Sequence, residues 1–380
     1  MIASFVFLES LSKSMFSRKI YLLNLLFIGL VSCQSQSNGD EVDLIQEKVL
    51  SPVGLYGNTQ GTTFAVISND PIDLDMTAVM EILHHFDMAL SGYIDSSIVS
   101  RLNSAPAGPF VYEDPYHYFN RCYRLSQEVF QTGQGTFDPS VFPLVDGWGF
   151  MKDMEDVPDS LVIDSLRTLV GFQEGKHFTF KPTTDEEGNE GSPATIIKHT
   201  SGSKLDFNAI AQGLSVDVLA EELERRGSEN YYIEIGGEIR VKGKNEDGNY
   251  WRIGIDRPID DSDADTRQIQ EVVELKDRAI ATSGSYRKFY EKNGIRYSHT
   301  LDPITGYPVT HNLLSASVIA ESCAIADAYA TVFMVMGPKR SIDFVTEHPE
   351  LHLDIYLIFI NEHDEFETYY TKGFGDRILL

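Results

Sequence analysis

The feature that most constrains this chain is an apolar run over residues 315–337, SASVIAESCAIADAYATVFMVMG. Alanines and large apolar residues there surround the acidic side chain of Asp327, within the segment ADAYAT. In a helix, Asp327 and Thr331 leave the same face one turn apart. An ionised carboxylate among apolar neighbours is costly unless a cation or hydrogen bonds compensate its charge. The Asp327 carboxylate and the Thr331 hydroxyl together are oxygen ligands of the kind that Mg²⁺ prefers. The alternative is an ordinary helix whose Asp327 points into water while Thr331 only packs.

The length and charge of the chain limit its partners. Its 380 residues are enough for a large core, either as one big domain or as two. The formal net charge is −26 and the isoelectric point is about 4.7. Because so acidic a surface repels phosphate backbones, we expect no nucleic-acid partner. A nucleotide ligand is still allowed, since a metal can neutralise phosphates locally.

The N-terminus has the pattern of a targeting segment. Arg18 and Lys19 precede an apolar run over residues 20–31, which has the length of a signal-peptide core and is short for a bilayer span. The run ends in Leu-Val-Ser-Cys33. Small residues before a cysteine resemble a bacterial lipoprotein signal, in which Cys33 carries the lipid. The alternative is a plain secretory signal with a chance cysteine.

We therefore predict three parts along the chain. Residues 1–33 form a lipoprotein signal peptide, residues 34–50 a flexible tether, and residues 51–380 one large folded domain. Met15 begins a more typical signal peptide than Met1 does. The expected location is the bacterial cell envelope, with the protein lipid-anchored to the membrane and facing the periplasm.

Local patterns predict both strands and helices. Helices are expected over residues 73–90, 115–133, 159–170 and 214–226, and strands over residues 61–67, 231–243, 249–258 and 351–360. The strands of 231–243 and 249–258 are expected to pair. Residues 91–103 and the Pro- and Gly-rich residues 136–150 are expected to be loops. The order favours the α+β class (mixed α/β), with antiparallel or mixed sheets packed with helices.

Two cysteines remain after the predicted signal, Cys122 and Cys323. Two in a chain of this length make no disulfide framework. Both lie in apolar helical patterns, so we expect buried free thiols.

Four further segments are rich in Gly, Ser, Thr, Asp and aromatic residues. They are SGYIDSSIVSRLN from Ser91, GTFDP from Gly135, LDFNAIAQG from Leu205, and ATSGSY from Ala281 continuing to HTLDPITG at His299. Taken singly, each segment is explained as well by turn formation, since Gly, Asp and Pro usually serve that purpose. A lone histidine is likewise more often structural than catalytic.

Taken in order, these blocks resemble the ApbE family. They begin with GTTF and include IEIGGEIRVKG and ADAYATVFMVMG, and together they cover about residues 50–340. Members of this family are FAD:protein FMN transferases. The resemblance implies an ApbE-like (T-fold-like) architecture with the flavin site in a cleft between lobes. It also implies an enzyme that splits FAD, transfers FMN to a Ser or Thr hydroxyl of an exported acceptor flavoprotein, and releases AMP.

The resemblance further implies which residues form the site. Mg²⁺ would be held by the carbonyl of Ala209, the carboxylate of Asp327 and the hydroxyl of Thr331. His299 would be the base for the acceptor hydroxyl, so the catalytic residues would be His299 and Asp327. The residues expected to contact FAD are Tyr93, Thr136, Phe137, Asp138, Asp206, Gln212 and Leu301.

Three positions depart from the family's usual pattern. Gln60 replaces a Met before Gly-Thr, Gln212 replaces a common Lys, and Glu238 stands where an Asn is frequent. None of them belongs to the implied metal ligands. Two alternatives to the transferase stay open: an FAD pyrophosphatase that yields FMN and AMP, and a flavin-binding lipoprotein without turnover. The lost lysine charge at Gln212 is the only feature that favours the second.

Overall fold

The computed structural model describes the chain in several stretches. They are residues 50–150, 157–184, 190–258, 268–285, 289–292, 295–298 and 300–379. The predicted signal peptide, nearly all of the predicted tether, and His299 lie outside the described residues.

The described residues form both strands and helices, as expected for the mixed class. The strands are β1 (Ser51–Thr59), β2 (Thr62–Ile72), β3 (Gly108–Tyr112), β4 (Phe178–Thr184), β5 (Glu190–Lys198), β6 (Tyr231–Ile235), β7 (Glu238–Lys242), β8 (Trp251–Asp256), β9 (Ile269–Leu275), β10 (Arg278–Gly284), β11 (Phe289–Lys292), β12 (Ile295–Ser298), β13 (Leu313–Ala320), β14 (Asp354–Ile360) and β15 (Phe366–Tyr370). The α-helices are α1 (Met76–Leu90), α2 (Ile98–Ser104), α3 (Tyr118–Thr132), α4 (Phe142–Gly147), α5 (Ser160–Arg167), α6 (Ala211–Arg225), α7 (Cys323–Met336), α8 (Pro338–Glu347) and α9 (Lys372–Gly375). Short 3₁₀ helices span Pro139–Val141 and Pro349–Leu351.

An eight-stranded antiparallel sheet is the centre of the fold. Its strand order is β1-β2-β6-β7-β10-β13-β14-β15. Smaller sheets have the orders β3-β5-β4, β8-β9 and β11-β12. Successive side chains of a strand point to opposite faces. In β10, Ala279 and Ala281 therefore join the core on the helix side, while Ile280 joins the core on the other side.

Helices α6 and α7 cover one face of the sheet. Leu214 and Leu219 of α6 and Phe333 of α7 are completely or almost completely buried there. The β8-β9 ribbon covers the other face with Ile253, Val273 and their neighbours. Both faces of the sheet are thus buried, which explains why β13 is buried at nearly every position.

The apolar run 315–337 folds as the strand β13 followed by the helix α7. The Ser322 side chain caps the start of α7 by accepting a hydrogen bond from the Ile325 amide at 3.3 Å. The helix ends at Gly337, whose φ of 78° lies in the left-handed region that favours glycine.

Three local predictions are wrong. Strand β8 pairs with β9 in a separate sheet, and not with the strands of residues 231–243. The expected loop 136–150 contains a 3₁₀ turn and α4, because Asp138 caps a turn that has Pro139 at its first position. The expected loop 91–103 contains most of α2, which the Ser97 hydroxyl caps by accepting from the Ser100 amide at 3.0 Å.

The other expected elements are present to within a few residues. Cys122 and Cys323 are buried free thiols, as predicted. Within the described stretches, no helix combines the length and the apolarity needed to cross a bilayer.

Candidate active site

A cavity of about 380 Å³ lies where helix α7, the sheet and two loop segments meet. Its volume is within the range of about 300–1,000 Å³ that is common for small-molecule sites. Eight of the residues predicted from the family motifs line it: Thr136, Phe137, Asp138, Asp206, Ala209, Leu301, Asp327 and Thr331. Segments that are distant in sequence are thus brought together around one space.

Asp327 is held at the beginning of helix α6. The backbone amide of Gly213 donates to Asp327 Oδ2 at 3.0 Å. Amides in the first turn of a helix have no partner inside that helix, and they favour negative charge. Gly213 is required for this approach, because an added Cβ would lie 2.4 Å from the Cys323 carbonyl oxygen and 2.8 Å from Asp327 Cβ.

A second aspartate makes the reciprocal contact between the same two helices. Asp217 of α6 accepts hydrogen bonds from the Cys323 and Ala324 amides at the start of α7, both at 2.9 Å. Arg240 of β7 donates to the same carboxylate at 2.7 Å. Asp217 therefore has a full set of donors and a cationic partner, although it is completely buried.

The Asp327 carboxylate is far less compensated. Its residue is 5% exposed, and burial raises its pKa to about 7, although the Gly213 amide acts in the opposite direction. Thr331 lies one helical turn further on, and its Oγ1 is 3.4 Å from the Ser283 hydroxyl of β10. Asp327, Thr331 and Ser283 thus place three oxygen-bearing side chains on one wall of the cavity.

The two other predicted aspartates use their carboxylates within the protein. Asp138 Oδ1 accepts from the amide and hydroxyl of Ser140, at 2.7 and 2.5 Å, and Oδ2 accepts from the Phe172 amide at 3.2 Å. Burial raises the pKa of Asp138 to about 6. Asp206 accepts from the Asn208 amide at 2.8 Å. Both residues fix the shape of the loops that border the cavity.

The loop that carries Asp206 and Ala209 is anchored by Asn103. Its side-chain amide donates to the Leu205 carbonyl at 2.8 Å, and its oxygen accepts from the Leu205 amide at 2.7 Å. The buried Lys198 ammonium in turn donates to the Leu102, Asn103 and Ala105 carbonyls at 2.9–3.0 Å. The sequence indicated Asn103 as part of a motif, and its role in the fold is to hold this loop.

Part of the cavity lining is apolar. Phe137, Leu301, Met334 and Val335 contribute to it. The turn that follows Leu301 is fixed by Trp148, whose indole N–H donates to the Gly306 carbonyl at 2.8 Å. Such residues suit a flat ring system, and the oxygen atoms of Asp327, Thr331 and Ser283 line the same cavity.

Two predicted FAD contacts lie elsewhere. Tyr93 is 71% exposed and is not among the residues that line the cavity. Gln212 does not line it either, and its amide lies against Gly236, where an added Cβ would meet Nε2 at 2.8 Å. His299 lies outside the described residues. The roles predicted for these three residues stay predictions.

Several lining residues lie within the quoted motifs but were not among the predicted site residues, for example Glu238, Ser283, Thr300, Met334 and Val335. Glu238 had a sequence signal, since an acidic residue follows the Gly-Gly turn at a position where the family often has an amide. Ser283 could have been found as part of ATSGSY, and Met334 as the residue one turn beyond Thr331.

The donor set fits a hard divalent cation. Carboxylate, hydroxyl and carbonyl oxygens are the ligands that Mg²⁺ and Ca²⁺ prefer. Asp327, Thr331 and Ala209 line the same cavity, and the Asp327 carboxylate has only one amide to offset its charge in the bonds described. No set of three or more acidic, histidine or cysteine side chains around one point occurs in the described part of the chain. A cation here would therefore complete its shell with other oxygens, such as those of a phosphate ligand.

Comparison with known proteins identifies the family of the chain. The sequence model of the ApbE family matches residues 60–355. The chain belongs to the ApbE family. The predicted family and the prediction of an enzyme are therefore confirmed.

Several relatives match most of the chain. The FAD:protein FMN transferase of Vibrio cholerae is 35% identical over 338 residues, which cover 86% of this chain and 93% of the relative. The FAD:protein FMN transferase of Escherichia coli K12 is 32% identical and covers 84% of this chain and 87% of the relative.

Solved structures of the ApbE family share the fold. The flavin transferase ApbE from Vibrio cholerae superposes with a TM-score of 0.72 at 32% identity, covering 86% of this chain and 99% of the other. The apo flavinyl transferase ApbE of Pseudomonas stutzeri gives a TM-score of 0.71 at 30% identity, covering 88% of this chain and 98% of the other. The predicted ApbE-like α+β class is thus confirmed.

Proposed function

We propose that this chain is a Mg²⁺-dependent FAD:protein FMN transferase that acts on a Ser or Thr hydroxyl of an exported acceptor flavoprotein. The observation that carries the proposal is the position of Asp327. It is a buried carboxylate at one end of a cavity, compensated by a single described amide, in a chain whose relatives are FAD:protein FMN transferases.

The polar and the apolar parts of the cavity lining would have separate roles. A bound Mg²⁺ would neutralise the diphosphate of FAD and stabilise the charge that develops during transfer. Asp327, Thr331 and the Ala209 carbonyl would hold it. The apolar side, with Phe137, Leu301 and Met334, would bind a ring of the dinucleotide and exclude water.

The transfer itself needs little from the protein beyond position and charge. The acceptor hydroxyl oxygen attacks the phosphorus of the FMN half, and the bond from that phosphorus to the AMP half breaks. AMP leaves with the bridging oxygen, and the hydroxyl proton passes to a base. His299 is our candidate for that base, because an imidazole titrates close to neutral pH.

The test is a reconstitution with purified protein. FAD, Mg²⁺ and an acceptor domain bearing one attachment threonine are incubated with the wild type or with Asp327→Ala. We expect the acceptor to gain the mass of FMN, with one AMP released per transfer, only in the wild-type reaction. AMP release that is equally fast without acceptor would instead favour the pyrophosphatase. FAD recovered intact would favour the binding protein.

The place of action is a further part of the proposal. The signal pattern that ends at Cys33 supports a protein anchored by lipid to a bacterial membrane and facing the periplasm. Covalent attachment of FMN suits a compartment from which free flavin would diffuse away. We expect the wild type in the membrane fraction and a Cys33→Ser variant outside it. Equal membrane association of both proteins would contradict the lipid anchor.

A further inference from the structure

Glu238 presents an unused carboxylate oxygen at the cavity. It is the first residue of β7, directly after the turn Gly236-Gly237, and it is 9% exposed. Its Oε2 has no hydrogen-bond partner within the described residues. The neighbouring Glu234 differs, because its Oε1 accepts from the Gly237 amide at 2.8 Å. A buried polar atom without a partner is uncommon in folded proteins, and this one belongs to a residue that lines the cavity, where a ligand can reach it.

The charge around this oxygen specifies the kind of ligand. Four acidic side chains line the cavity, and none of its described lining residues is Lys, Arg or His. Asp138 accepts amide hydrogens at both carboxylate oxygens, and Asp206 accepts from both the amide and the side chain of Asn208. The least compensated carboxylates are therefore Asp327, which accepts one described amide, and Glu238, whose Oε2 accepts none, and two ionised carboxylates that line one buried cavity repel each other.

A dinucleotide cannot relieve this repulsion, since its diphosphate is itself anionic. It would enter a cavity that already holds two carboxylates. A divalent cation relieves both problems, because it offsets the two carboxylates and then attracts the diphosphate. Mg²⁺ sites commonly combine one or two protein carboxylates with phosphate oxygens and water.

We infer that Glu238 joins Asp327 in binding the divalent cation, and that the cation enters this protein before FAD does. The inference rests on the proposed cation site at Asp327 and adds a second carboxylate and an order of binding. A neutral amide at position 238 would leave one carboxylate only, and the cation would then depend on the phosphate oxygens for its binding.

The test measures cation binding without any substrate. The full mature chain is freed of metal and flavin and then titrated with Mn²⁺. Electron paramagnetic resonance measures the concentration of Mn²⁺ that stays unbound. We expect the wild type to bind Mn²⁺ without FAD, and Glu238→Gln to bind it at least tenfold more weakly. Glu321→Gln is the matched control, since it removes the same charge from an exposed residue near the start of α7, and it should bind as the wild type does.

Folding is monitored alongside, so that a lost site is distinguished from a lost fold. Gln has the shape of Glu, and removal of a buried unpaired charge should leave the melting temperature of the metal-free protein unchanged or raise it. A second variant, Glu238→Asp, keeps the charge with a shorter reach, and its affinity should fall between those of the wild type and Glu238→Gln.

Two results would overturn the inference. One is a wild type that binds Mn²⁺ only when FAD is present, and the other is a folded Glu238→Gln that binds Mn²⁺ as tightly as the wild type. In either case the proposed function survives if the wild type still transfers FMN. Conversely, the expected Mn²⁺ titrations together with no FMN transfer would support the inference while the proposed function fails.

Discussion

The two ends of the α6–α7 contact show how one arrangement can serve two purposes. At one end Asp217 accepts two amide hydrogens of α7 and an arginine, and at the other end Asp327 accepts one amide hydrogen of α6 and faces a cavity. Both carboxylates are buried, and burial raises the pKa of both. The difference lies in the compensating groups. Asp217 stabilises the fold, whereas Asp327 is left with binding capacity for a ligand.

The largest expected effect is on activity, from replacing Asp327. Asp327→Ala should reduce FAD cleavage by about a thousandfold or more, because it removes a ligand of the charge-stabilising cation. Its melting temperature should stay near that of the wild type. AMP release and thermal unfolding measure the two properties, and turnover like that of the wild type would show that the cation lies elsewhere.

Replacing Asp217 should mainly lower the stability of the fold, whereas replacing Asp327 should mainly lower the activity. Asp217→Ala leaves the half-buried Arg240 and two helix-terminal amides without their carboxylate, which should cost about 3–5 kcal/mol of unfolding free energy. Denaturant unfolding checks this value. Glu221→Ala is the control, since it breaks a surface ion pair with Arg121 at 2.7 Å and should cost about 1 kcal/mol or less. Equal losses in both variants would contradict the assigned role of Asp217.

A methyl group added at Gly213, where α6 and α7 cross, should weaken both the contact at Asp327 and the contact at Asp217. Gly213→Ala places a Cβ where the Cys323 carbonyl and Asp327 already lie, which should cost about 1–3 kcal/mol of stability and lower the rate of FAD cleavage. Gly92→Ala is the control, because nothing lies within 4 Å of its added Cβ. A stable and fully active Gly213→Ala would mean that the helices separate at little cost.

The smallest expected effect is a difference in pH dependence. Without divalent cations, the folded protein holds a proton on Asp327 up to a pKa of about 7, against an ordinary value of 3.8. The folded state therefore binds more protons between these values, and the contribution of Asp327 to stability falls as pH rises through this window. Its slope should be at most about 1.4 kcal/mol per pH unit.

Asp327→Asn should remove this slope, which urea unfolding at several pH values between 4 and 8 would measure. Identical pH profiles of the wild type and the variant would show that the carboxylate is already ionised in the folded protein. The same experiment with saturating Mg²⁺ should flatten the wild-type profile, because the cation competes with the proton.

The sequence alone predicted the elements and much of the site, for reasons that are local. Periodicity and the cap at Ser322 specify α7, and the same periodicity places Asp327 and Thr331 on one face. The contact between Gly213 and Asp327 joins residues 114 positions apart, and no local pattern encodes it. The family motifs placed these two segments in one site without revealing what each atom does there.

The wrong predictions have a similar origin. Pro and Gly in residues 136–150 suggested an irregular loop, although Pro is favoured in the first turn of a helix. Asp138 lines the cavity as predicted residues should, and its predicted contact with FAD stays a prediction; its carboxylate bonds to Ser140 and to the distant Phe172 amide, which no local pattern encodes. Glu238 was noted as a departure only, because its orphan oxygen becomes visible once β7 borders the cavity.

The antiparallel crossing of α6 and α7 has a consequence for how the family site can vary. Gly213 of α6 bonds to Asp327 of α7. Asp217, four residues later in α6, bonds to Cys323, four residues earlier in α7, as antiparallel helices require. A deletion or insertion between the pairs in either helix would break at least one bond, and only a compensated change in both helices would keep them. Divergence should therefore be concentrated in the surrounding loops, where new flavin contacts or acceptor preferences can arise around an unchanged pair of helices.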